Sequence, residues 1–113
     1  MIHVSISEEI AKACPDLHVA VVECSVVNTV SDEQLWKEIT EVETHIRTTC
    51  KLEDINKFPP IQATRQAYKR LGKDPNRYSP SAEALRRRIL RELPLYKKDT
   101  LVDIINLLSI QIG

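Results

Sequence analysis

The chain has 113 residues, with 16 Lys+Arg balanced by 16 Asp+Glu. Hydrophobic residues at 42% and charged residues at 28% are ordinary globular values and exclude disorder, while two glycines and six prolines exclude collagen-like and low-complexity classes. No run approaches the roughly 18 apolar residues of a membrane span, and the opening MIHVSISEEI lacks the basic-then-apolar order of a secretory signal.

Aromatics are only 4%, so the core has to be built from Val, Ile and Leu. Ile2, Val4 and Ile6 alternate with polar residues, which predicts a short strand. Ser7 can cap a helix that runs to Cys14 and is stopped by Pro15. Leu17 to Val27 (LHVAVVECSVV) is β-branched and nearly apolar throughout, which predicts a central strand covered on both faces. Ser31 with Gln34 forms a capping-box pattern. Behind it Leu35, Ile39, Val42 and Ile46 recur at helical spacing and predict an amphipathic helix to about Lys51, with Trp36 widening its apolar stripe.

Glu53 to Pro60 reads as a connector. A helix is predicted from Ile61 to Leu71, with Gly72 at its left-handed C-terminal cap. Lys73, Asp74, Pro75 and Asn76 are turn chemistry. Ser79 and Pro80 are a good helix start, and Ala82, Leu85 and Ile89 carry that helix to about Arg91 before Pro94. Leu101 to Ile112 has no clearly polar face, so a helix there is expected to be buried on all sides.

Cys14, Cys24 and Cys50 are odd in number, with no CxxC and no zinc-like spacing. His3, His18 and His45 are equally scattered. The expectation is three reduced, mostly buried thiols in a cytoplasmic protein, with no metal and no cofactor. The phosphate-loop, zinc-protease and nucleophile-elbow motifs are all absent.

Zero net charge conceals an asymmetry. Residues 1–57 hold 5 Lys+Arg and 11 Asp+Glu, whereas residues 65–98 hold 11 Lys+Arg and 3 Asp+Glu. Either the basic part is a polyanion-binding face, or the two parts pair across the fold.

Two stretches carry a resemblance. RQAYKRLGKDPNRYSPSAEALRRRIL, from Arg65 to Leu90, resembles the signature of B3/4-domain proteins, free-standing relatives of the editing domain of the phenylalanyl-tRNA synthetase β subunit. VDIINLLSIQIG, from Val102 to Gly113, is similar to the synthetase's V-D-V-T-N…G segment and keeps Val102, Asp103, Asn106 and Gly113 in register. Residues 1–64 match only in element order.

The resemblance implies an α/β (α+β) fold, a mixed β-sheet flanked by helices. It makes residues 1–113 one domain that corresponds to the first half of a B3/4 domain. It also implies tRNA as partner and hydrolysis of a misacylated aminoacyl-tRNA ester as the ancestral activity, with cytoplasmic translation fidelity as the setting. Asn106 then matches a pocket residue that meets the amino acid. The Thr beside it in the family is Ile105 here, and the family's pocket His and Glu come later, so no catalytic residue can be assigned.

Arg65, Lys69, Arg70, Lys73, Arg77, Arg86, Arg87, Arg88 and Arg91 are the candidate tRNA-contacting residues, since Arg and Lys meet phosphates. Tyr68 and Tyr78 lie among them and have the ring needed to stack on a base, although Tyr68 falls on the apolar side of its helix. Glu83, in a first helical turn, suits the helix dipole. Asp103, set in an apolar segment, is expected to be buried and hydrogen-bonded. The competing reading is a non-catalytic interaction module that self-associates through Leu101 to Ile112, with no membrane contact.

Overall fold

The computed structural model describes residues 2–113. Five α-helices follow one another: α1 (Glu8–Ala13), α2 (Glu33–Thr49), α3 (Pro59–Arg70), α4 (Ser81–Leu90) and α5 (Thr100–Ile112), with a 3-10 helix (Leu52–Lys57) between α2 and α3. Among the described residues there is no strand, so the expected mixed sheet is corrected to an all-helical architecture.

The physical reason lies in the N-terminal arm. A strand exists only when its N–H and C=O groups find a neighbouring strand. Ile2, Val4 and Ile6 are exposed, as are Val19, Val21, Val22, Val26 and Val27, and no element lies against them to form a ladder. β-Branched composition favours an extended backbone, and residues 15–30 are in fact non-helical, but composition alone supplies no partner.

The helices form where local chemistry directs them. Ser7 caps α1 by accepting from the Ile10 N–H at 3.4 Å. The cap of α2 is Asp32, not Ser31: its carboxylate accepts from the Leu35 N–H at 2.9 Å. Pro59 and Pro60 open α3, where a missing N–H costs nothing. Gly72 follows α3 with φ +78°, the left-handed cap conformation that suits glycine. Ser79 makes no side-chain cap for α4.

α4 is the central element, packed on α2, α5 and the 3-10 helix. One side of it builds the main core from Ile39 and Ile46 of α2, Ile89 of α4, Leu107 and Ile110 of α5, and Leu95. The other side closes a smaller cluster of Ile55, Ile61 and Ala82. Asp103 is 1% exposed inside the main core, as expected. Its carboxylate accepts from Trp36 Nε1 at 3.0 Å and from the Lys98 N–H at 3.1 Å, which offsets the cost of burial.

α5 departs from expectation. It buries only Asp103, Leu107 and Ile110, while Val102, Ile104, Ile105, Leu108 and Ile112 stand in solvent. The whole chain exposes 8502 Å², against about 6,300 Å² for a compact monomer of this size. Its radius of gyration is 15.8 Å, where about 13 Å is usual for 100 residues. No helix is long and apolar enough to cross a membrane among the described residues.

Candidate functional site

The nine candidate cations divide into two groups. Four are used by the fold. Arg65, on α3, aims Nη1 at both carboxylate oxygens of Glu83 (2.8 and 3.0 Å) and Nη2 at Asn76 Oδ1 (2.6 Å). Arg87 donates to the same Glu83 at 3.0 Å and to Asn56 Oδ1 at 2.8 Å. Arg88 donates Nε to the Pro94 carbonyl at 2.6 Å and covers the Tyr96 ring.

Arg86 is 7% exposed. It donates to the Ile110 carbonyl at 2.7 Å and lies 4.0 Å over the centre of the Phe58 ring. Burial pushes its guanidinium below the ordinary arginine range, and the nearby Cys50 thiol acts in the opposite direction. Through these contacts Arg65 and Arg86 tie α3 and α5 to α4, and Arg87 reaches the 3-10 helix.

The other five are exposed. Lys69 and Arg70 end α3, Lys73 and Arg77 lie in the following turn, and Arg91 caps α4. Among the described residues none of them has a carboxylate within ion-pair distance. Lys73 Nζ and the Arg77 guanidinium each sit 5.5 Å from the centre of the Tyr78 ring, and Tyr78 is 47% exposed.

The turn that presents them is held from inside. Asp74 Oδ1 accepts from the Asn76 N–H at 2.9 Å, and the Asp74 carbonyl accepts from the N–H groups of Arg77 and Tyr78. The Lys73 N–H returns to the Tyr68 carbonyl, and Arg65 ties Asn76 to the Glu83 junction. So Arg65 sits behind the basic turn as a buried support, while its neighbours face outward.

The charge asymmetry is not cancelled internally. The ion pairs among the described residues are Glu43–Arg47, Asp54–Lys57, Arg65–Glu83 and Arg87–Glu83. The first two lie within residues 1–57 and the last two within residues 65–98. Pairing across the two parts, one of the two sequence alternatives, is therefore not what the fold does.

The remaining candidates disperse. Asn106 is half-buried on α5 and borders none of the clefts of the molecule described below. Glu83 does lie in the first turn of α4, yet its main partners are two arginines, and it is 1% exposed. The Glu83–Arg87 spacing of four was visible in the sequence, whereas the Arg65 partner 18 residues away gave no signal. Tyr68 is half-buried. Of the cysteines, Cys14 is buried, Cys50 half-buried and Cys24 exposed. Sequence reasoning also missed a cleft of about 260 Å³ bounded by Ile46, Cys50, Ile55, Phe58, Arg86 and Leu90, which adjoins a wider one reaching His45 and Gln111.

No protein-family model, curated protein or solved structure matches the chain.

Proposed function

We propose that the protein binds RNA of the tRNA type by its phosphate backbone, through Lys69, Arg70, Lys73 and Arg77, with Tyr78 as a stacking platform. The observation that carries this reading is the set of exposed, unpaired cations on and beside a braced turn, two of which, Lys73 and Arg77, flank the exposed Tyr78 ring. Phosphates supply the opposite charge, and an aromatic face flanked by cations suits an unstacked base. The B3/4 resemblance of Arg65 to Leu90 supports the same partner. Hydrolysis of a misacylated ester is not part of the proposal, because Asn106 lines neither of the two clefts described above. The unpaired, partly buried cysteines support the cytoplasm as its compartment.

A titration with uncharged tRNA at several salt concentrations tests the reading. Four phosphate contacts give a slope of log K against log salt of about −3. The affinity then falls on the order of fifty-fold between about 50 and 200 mM salt. A flat response sinks the proposal.

A second reading is self-association, favoured by the uncovered surface. The excess over a compact monomer is about 2,000 Å² per chain, more than the roughly 800 Å² that each partner of a stable pair conceals. A second copy would cover Val102, Ile105 and Leu108 of α5. Light scattering that finds only monomer removes it.

A further inference from the structure

The cleft beside Arg86 holds an arrangement that the RNA-facing turn does not explain. Arg86 is more than nine-tenths buried and has no carboxylate partner. Its Nη2 is satisfied by the Ile110 carbonyl near the end of α5, where a cation is favoured by the helix dipole. Its Nε is sealed from solvent and makes no hydrogen bond of ordinary geometry, the Cys50 thiol being the polar group beside the guanidinium. An unpaired buried donor on a charged group is costly, and such groups in folded proteins ordinarily have a reason.

The same guanidinium lines the cleft. Around it stand the apolar side chains of Ile46 from α2, Ile55 and Phe58 around the 3-10 helix and Leu90 from α4, with Thr49 and Cys50 at the end of α2 beside them. The only carboxylate on the rim is Asp54, already paired with Lys57 at 3.4 Å. The cavity, at about 260 Å³, exceeds the roughly 150 Å³ apolar cavity that admits benzene. It is therefore roomy enough for a short apolar chain as well as a polar head.

We infer that this cleft binds a small monocarboxylate with an apolar tail, its carboxylate on Arg86 and its chain against Ile46, Ile55, Phe58 and Leu90. The carboxylate supplies the missing counter-charge to the guanidinium edge that faces the cleft, Nε itself being sealed from solvent. Arginine is suited to this task, since its planar fork bonds a carboxylate while one edge stays engaged elsewhere. Phe58, packed on the guanidinium face, keeps the fork in plane.

The test uses octanoate on the full chain, followed through the Nε–H resonance of Arg86 and by calorimetry. Saturable binding is expected, with a shift of that resonance. Octanol and octylamine, which share the tail but not the anion, should bind at least tenfold more weakly, and inorganic phosphate should not compete. Thr49→Trp adds bulk to a position that lines both clefts and should weaken octanoate at least tenfold. Arg86→Lys keeps the charge but loses the fork, and should do the same while helicity is retained. The inference is overturned if octanol binds as well as octanoate, if phosphate displaces it, or if the Nε–H resonance stays still at saturation.

Discussion

The arginines of α4 and the cations of the turn before it come from one continuous basic stretch, yet the fold treats them oppositely. Arg86, Arg87 and Arg88 point at carbonyls, a carboxylate and aromatic rings of their own chain. Lys69, Arg70, Lys73 and Arg77 point at water. The difference arises from α4 being the hub: a helix packed on three neighbours has little surface left, so its long side chains reach helix ends and loop carbonyls instead. The α3–α4 turn lies outside that hub and keeps its charges available. A run of basic residues in a sequence is thus two populations, and only geometry separates them.

Three substitutions test this division. The largest effect is expected at Glu83, which holds Arg65 and Arg87 together at 1% exposure. Glu83→Ala leaves two cations without their anion and should cost about 3–5 kcal/mol in a urea unfolding curve. A cost below about 1 kcal/mol would mean that the junction is ornamental. Next comes Tyr78→Ala, which should leave stability within about 0.5 kcal/mol yet remove about 1–3 kcal/mol of tRNA affinity. Equal binding by the variant would strip the ring of its assigned role. The smallest effect lies just past α4, where Glu92 adopts φ +58°, a conformation suited to glycine. Glu92→Gly should raise stability by up to about 1 kcal/mol, read as a higher unfolding midpoint, with tRNA binding unchanged.

The helices were legible because their signals are local. Periodicity placed α2, α3 and α4 to within a few residues, the apolar run Leu101 to Ile112 marked α5, and Gly72 and Ser7 took the caps that their chemistry suggests. Asp103 was legible for a different reason: a carboxylate among Leu and Ile has to be satisfied wherever it ends up. The sheet was misread because Leu17 to Val27 announces an extended backbone but says nothing of a neighbour. Of the candidate site, the basic turn was legible as charge. Its separation from Arg65 and Arg86 was not, because Arg65 meets Glu83 across 18 residues and Arg86 meets Ile110 across 24. The cleft at Arg86 draws its walls from α2, the 3-10 helix and α4, and no sequence spacing announces such a meeting.

The N-terminal arm ends on α5. The Asn28 side chain accepts from the Leu101 N–H at 3.1 Å, and the Thr29 carbonyl accepts from the Thr100 N–H at 2.9 Å. The Asp99 carboxylate takes the next amide, that of Val102, at 2.9 Å. Three of the free amides of that helix end are thereby used, two of them by residues more than 70 positions away. Anything that pulls on the arm therefore pulls on the helix bearing Leu107 and Ile110, at about 1 kcal/mol per bond released. The arm is a handle on the core: a force applied to its exposed valines is transmitted first to the N-terminal turn of α5.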